Sequence, residues 1–177
     1  MKARPGELNY GTYGAGSGPH LATALFTAKT GVQMVHVPYG GGGPAALGAM
    51  TNQVQALFSS VLPVLGMIRG DKLKALAIAA ERRSELLPEV PTFAEQGLDY
   101  LTGTWFGMLA PARTPPEIIV KLNRAVVATL EEPAVRAKIA EQGAEVIAGT
   151  PEQFRAFLKD ETDRLAAVIQ SSGIALD

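Results

Sequence analysis

Leu8-Asn9-Tyr10-Gly11-Thr12-Tyr13-Gly14-Ala15-Gly16-Ser17-Gly18-Pro19-His20-Leu21 reads as one strand, a glycine turn and the opening of a helix. Leu8 to Tyr13 has strand character, and Gly14 to Pro19 is a run of small turn residues. The helix that follows carries Leu21, Leu25 and Phe26 on one face and stops at Gly31. Two more units of the same kind come next. Gln33 to Val37 is a strand leading through Pro38-Tyr39-Gly40-Gly41-Gly42-Gly43 into a short helix from Pro44 to Met50. Val54 to Phe58 leads through Ser59-Ser60 into a helix containing Val64 and Ile68 and closed by Gly70. Short apolar strands alternating with helices predict an α/β fold with a largely parallel sheet.

Beyond this core, Leu73 to Ala80 is a nearly unbroken apolar run, as expected of a strand buried on both faces. Residues 84 to 99 contain Pro88 and Pro91 and read as an irregular connection with one short helix. Tyr100 to Leu109, containing Trp105, reads as another strand. The last third is helical. Thr114-Pro115-Pro116-Glu117 has the pattern of a capping box, followed by Ile118, Leu122, Val126 and Leu130 at four-residue spacing. Pro133 opens a helix that ends at Gly143. Thr150-Pro151-Glu152-Gln153 repeats the capping pattern, and Phe154, Phe157, Leu158, Leu165, Val168 and Ile169 form the expected buried stripe. There is no internal repeat.

The 177 residues are 47% hydrophobic and 19% charged, with a net charge of -1 and a pI near 6.1. Such a chain is long enough for a real core, and it has no basic excess to grip a phosphate backbone, so nucleic acid is not an expected partner. Cysteine is absent, which removes disulfides, thiolate metal sites and cysteine nucleophiles together. No apolar run approaches the ~20 residues that span a bilayer. The opening Met1-Lys2-Ala3-Arg4-Pro5-Gly6-Glu7 has no apolar stretch of the kind that directs export.

The chemistry concentrates in the glycine and hydroxyl turns at 14–18, 40–43 and 59–60. In an open α/β sheet these turns meet at the carboxyl ends of the strands, where ligands bind. Glycine admits a ligand close to the backbone, and helix N-termini offer unpaired amides and the positive end of a dipole. That combination suits a carboxylate or phosphate. Between Leu8 and Ile68 the only Lys, Arg, Asp or Glu is Lys29, so such a site works through amides, hydroxyls and water. A glycine turn is also simply a tight turn. Three in succession, with four glycines in a row at 40–43, carry more weight.

Enzyme patterns are missing. Gly14-Ala15-Gly16 opens like a dinucleotide fingerprint, but Pro19 stands where the third glycine belongs, and no acidic residue ends the next strand. Ser17 sits one position late for a nucleophile elbow. His20 and His36 have no neighbouring carboxylate in the sequence, so neither a triad nor a zinc site is expected. No catalytic residue, metal or cofactor is assigned. His20 is placed either to donate to a ligand oxygen or to hold a neighbouring loop. His36 reads as an ordinary strand residue and Trp105 as core.

Several segments, in order, resemble the Bug family, the extracytoplasmic receptors of tripartite tricarboxylate transporters. Tyr10 to Leu21 is similar to that family's Gly-x-Gly-Ser-x-x-His-Leu segment. Val37-Pro38-Tyr39-Gly40-Gly41-Gly42-Gly43-Pro44-Ala45 is similar to its Val-Pro-Tyr-Lys-Gly-x-x-Pro-Ala. Leu73-Lys74-Ala75-Leu76-Ala77, Arg83, Leu87-Pro88-Glu89-Val90-Pro91-Thr92-Phe93-Ala94-Glu95-Gln96-Gly97 and Trp105-Phe106-Gly107 follow in the family's order.

The resemblance implies a type II periplasmic-binding-protein fold, in which two α/β lobes close on a ligand. Residues 1–100 would then be the second, ligand-binding lobe, and 101–177 the C-terminal part of the first. It implies capture of a small carboxylate for a membrane permease, in the periplasm. Carried over residue by residue, the ligand contacts are Thr12, Tyr13, Gly16, Ser17, Gly18, His20, Tyr39, Gly40 and Ser59.

Departures stand beside it. Gly40 replaces a common lysine, and Thr51-Asn52-Gln53-Val54-Gln55 replaces the usual Gly-Gly-Gln-Val-Asp. The family's first lobe begins upstream, behind a signal peptide, so the chain is expected to be the later part of a receptor. The helices from 115 onward are then expected to expose an apolar face that a homodimer would cover. Two other readings remain at this point. One is a sensory or protein-interaction lobe without a transport role; the other is an α/β enzyme domain holding a phosphate cofactor in the glycine turns.

Overall fold

Residues 5–172 are described by a computed structural model. The segment 1–4, which opens the stretch read for an export signal, lies outside them. The first half alternates β1 (Asn9–Thr12), α1 (Gly18–Thr30), β2 (Val35–Pro38), α2 (Gly42–Met50), β3 (Ala56–Leu57) and α3 (Leu62–Arg69). The strands pair in the order β2-β1-β3, all parallel, as expected when each strand-to-strand connection carries a helix. Asn9 lies opposite Val35 and Thr12 opposite Pro38, while Tyr10 and Gly11 lie opposite Ala56 and Leu57. The α/β class read from the sequence is the class observed.

Local chemistry explains the boundaries. α1 stops where Gly31 adopts φ 68° and returns its amide to the Thr27 carbonyl at 2.8 Å. Central β1 is covered closely, and Gly11 leaves room for a neighbour there. A Cβ at Gly11 would lie 3.2 Å from Tyr39 Cε2 and 3.3 Å from Val54 Cγ2. The Tyr39 ring also lies against Gly48 of α2, where an added Cβ would fall 2.9 Å from Tyr39 Cε1. Behind α1, Phe26 packs among Phe58, Phe93 and Tyr100, and the Tyr100 hydroxyl donates to the Ala22 carbonyl at 2.7 Å.

Two expected strands are corrected. Leu73–Ala80 forms no strand; it contributes one bridge, Ile78 to Thr92, and leaves Leu76 65% exposed. Tyr100–Leu109 is not a strand either, and Phe106 is 92% exposed. Apolar runs become strands only beside a partner edge, and here neither run finds one along its length. The connection between them is pinned instead by Arg83, whose Nε donates to Glu95 at 2.9 Å and whose Nη1 donates to the Pro88 carbonyl at 3.1 Å. The short helix expected within 84–99 is a single 3-10 turn, Ala94–Gln96.

The chain divides into two compact units, residues 1–104 with 165–177, and residues 105–164. The second holds α4 (Pro116–Glu131), α5 (Pro133–Glu141) and most of α6 (Pro151–Ser172). The capping box expected at Thr114 is not formed. α4 starts at Pro116 with Pro115 in the cap position, which has no hydroxyl, and the Thr114 amide donates to the Pro111 carbonyl. At α6 the box is complete: the Thr150 amide donates to Gln153 Oε1 at 2.8 Å and the Gln153 amide to Thr150 Oγ1 at 3.2 Å. Trp105 meets Phe154 and Phe157 edge-on at 5.8 and 5.4 Å. The stripe on α6 is only partly buried, since Phe157 is 39% exposed while Val168 is 7% exposed. α4 buries no residue, and Ile118, Val120 and Leu122 are exposed.

Two substitutions test this packing. Gly48→Ala is expected to cost ~1–3 kcal/mol in urea denaturation by overpacking against the Tyr39 ring, and much less in a Tyr39→Ala background. Equal cost in both backgrounds would exclude that contact as the cause. Thr150→Ala should cost about 1 kcal/mol by the same measurement, through loss of the cap.

Candidate functional site

β1 is the central strand; the chain passes from it to β2 on one side and then from β2 back across it to β3 on the other. Because all three strands are parallel, the carboxyl ends of β1 and β3 lie side by side at the edge of the sheet where α/β folds take ligands. Tyr13, the first residue after β1, bridges the two ends. Its hydroxyl is 2.5 Å from Ser59 Oγ and accepts the Ser60 amide at 3.1 Å. Its ring lies against the start of α2, where a Cβ added to Gly42 would fall 3.1 Å from Tyr13 Cζ and 3.0 Å from Pro63 Cγ. One side chain thus gathers all three turns.

The first turn is held from behind. Thr12 is fully buried, and its hydroxyl contacts the Gly14 carbonyl at 3.2 Å and His36 Nε2 at 2.6 Å. Ser17 Oγ donates to the Gly14 carbonyl at 2.7 Å. The Gly16 amide donates to His20 Nδ1 at 3.1 Å. Gly14 (φ 124°) and Gly41 (φ 147°) have backbone angles that side-chain-bearing residues rarely adopt.

No side chain caps α1, α2 or α3, so their first-turn amides are unclaimed by a side-chain cap. Each N-terminus carries about half a positive charge. Lys29, at the far end of α1, pairs with Asp99 at 3.3 Å and is no part of the cluster. The arrangement can accept an anion on main-chain amides, with the exposed Gly18 and Gly40 at its rim.

A family model described as Tripartite tricarboxylate transporter family receptor matches residues 1–174. The chain belongs to this family. It is a family of receptors rather than of enzymes. Protein BugT of Bordetella pertussis is 41% identical over 99% of this chain and 54% of its own length. A protein of R. palustris, solved with adipate, superposes with a TM-score of 0.84 at 32% identity, covering 98% of this chain and 58% of that one. MatC from Rhodopseudomonas palustris, with bound malate, gives 0.77 at 31% identity, covering 93% and 57%. The chain thus spans about half the length of BugT and under three-fifths of the two solved structures. The fold is that of the Bug-type periplasmic binding proteins.

Of the nine residues singled out in the sequence, Tyr13 and Ser59 meet across the ends of β1 and β3, Thr12 and His20 contact His36 of β2, Gly16 and Ser17 are bonded within the first turn, and Gly18 and Gly40 are exposed. Tyr39 points elsewhere. Its amide donates to the Thr12 carbonyl at 3.0 Å, but its ring covers Gly11 and Gly48 and its hydroxyl donates to Gln53 Oε1 at 3.4 Å. His20 is only 8% exposed, and its Nδ1 takes the loop-holding alternative. Ser60, in the 59–60 turn read from the sequence, contributes its amide. Two neighbours were not found from the sequence: Thr104 Oγ1 lies 2.8 Å from where a Gly18 Cβ would sit, and His36 stacks on His20 at 3.9 Å. A strand position says nothing about which helix covers it, so His36 carried no sequence signal.

The Tyr13 bridge makes a measurable claim. Tyr13→Phe and Ser59→Ala should each destabilise the chain by ~1 kcal/mol, and together by clearly less than the sum. Additive losses in chemical denaturation would show that the bridge contributes nothing.

Proposed function

We propose that this chain is part of an extracytoplasmic receptor that captures a small carboxylate on main-chain amides and passes it to a membrane permease. One observation carries the reading: three helices without side-chain caps each follow a strand of one parallel sheet, so their N-termini lie at the same sheet end, where Tyr13 bonds Ser59 and Ser60 and packs on Gly42. Gly16, Ser17 and Gly18 at α1, Gly40 before α2, and Ser59 before α3 form the contact surface. Thr12, Tyr13 and His20 shape it from behind, and Tyr39 holds the turn before α2 through its amide bond to the Thr12 carbonyl. An amide cradle holds a carboxylate through several moderate hydrogen bonds, which suits reversible capture. Relatives solved with adipate and malate support the ligand class.

In this reading residues 1–100 are the ligand-binding lobe and 101–177 belong to the other lobe, working in the periplasm. The exposed Ile118 and Leu122, one turn apart on α4, mark the surface a homodimer would cover. Sedimentation tests that part directly.

Isothermal titration with adipate, malate and a nucleotide tests the main claim. Heat from a dicarboxylate and none from the nucleotide is expected; nucleotide heat, or silence toward every carboxylate, overturns it. Gly40 has open space where a Cβ would stand. Gly40→Lys should therefore fold normally and tighten dicarboxylate binding on the order of threefold at low salt, with the gain fading as salt rises.

A further inference from the structure

His20 and His36 form a pair that amide capture does not itself use. The rings stack at 3.9 Å and 16°, and Tyr10 stacks on His36 at 5.1 Å. A backbone N–H can only donate, so the bond from Gly16 requires His20 Nδ1 to be the unprotonated nitrogen and Nε2 to carry the hydrogen. A proton on Nδ1 leaves two donors face to face. The Gly16 amide then needs another acceptor, and Gly16, at φ 69°, is the glycine that turns the chain toward Ser17 and α1.

From the turn positions of Gly16 and the helix start at Gly18, we propose that neutral His20 is a positioning residue that holds the 14–18 turn in its anion-accepting shape, and that acidification releases it. The functional half of this inference rests on the carboxylate-receptor reading; the structural half does not.

The surroundings oppose a charge on either ring. The groups facing the pair are the Tyr10 ring and Thr12 hydroxyl from β1 and the Gly16 amide from the turn. None is a carboxylate. Lys29, the nearest cation on α1 in sequence, is occupied by Asp99. Burial holds His20 below the ordinary imidazole value, and burial followed by repulsion from His20 does the same to His36. The sign follows from linkage. The unfolded chain binds these protons first, so the pair's contribution is whole above about pH 6.5 and is lost as pH falls through the depressed folded values.

The test uses the full chain, isotope-labelled, in two-dimensional NMR from about pH 8 to about pH 5. The expected result is a His20 ring protonated at Nε2 alone at the upper pH, with the Gly16 amide moving at the His20 midpoint. In His20→Asn, whose side-chain oxygen stands near Nδ1 but does not titrate, that movement should vanish and His36 should titrate closer to its ordinary value. A His20 ring carrying its hydrogen on Nδ1, or a Gly16 amide indifferent to His20 titration, overturns the proposal. Adipate and malate are then titrated at both ends of the range, with their own ionisation subtracted. Affinity should fall about tenfold on acidification in the wild type, and the profile should flatten in His20→Asn. If neither acid binds at the upper pH, the receptor reading has failed for these ligands while the amide experiment still decides the switch. If they bind with no residual pH dependence, the switch has failed and the receptor reading stands.

Discussion

The Tyr13 hydroxyl joins strand ends that the sheet alone would leave independent. β1 and β3 share only two paired positions, and their carboxyl ends open onto a crevice. Spanning that gap to Ser59 and the Ser60 amide, with the ring laid on Gly42, gives the three turns one geometry. The helices that follow the three strands start at that same end of the sheet, in the stretch 8–68 whose one charged side chain, Lys29, is paired with Asp99.

The same economy appears behind the first turn. Buried Thr12 and nearly buried His20 spend their polar atoms on the backbone of Gly14 and Gly16, and Ser17 spends its hydroxyl on the Gly14 carbonyl. These side chains, which the sequence singles out as ligand contacts, also hold the turn's own backbone.

The helical second unit follows different physics. α4 and α5 bury no residue, and the unit is organised around Trp105, Phe154 and Phe157 with the Asn123 amide donating to the Gly149 carbonyl at 3.0 Å. Its apolar repeats were readable as helices because a repeat of three to four residues suffices to form one. Burial of the repeats is a separate matter that needs a partner surface.

That distinction separates what sequence determined from what tertiary structure decided. The strand–turn–helix order, the stop at Gly31, the reciprocal cap at Thr150 and Gln153, and the glycine turns themselves are local matters of backbone freedom and apolar spacing, legible in a single chain. Strand status at 73–80 and 100–109 was not legible, because a strand exists only beside another edge and apolar content cannot say whether an edge is there. Nor were the roles of His36, Ser60 and Tyr39. Each is set by residues far away in the chain, and only the folded arrangement of β1, β2 and β3 brings the histidines into a stack and aims the tyrosine rings.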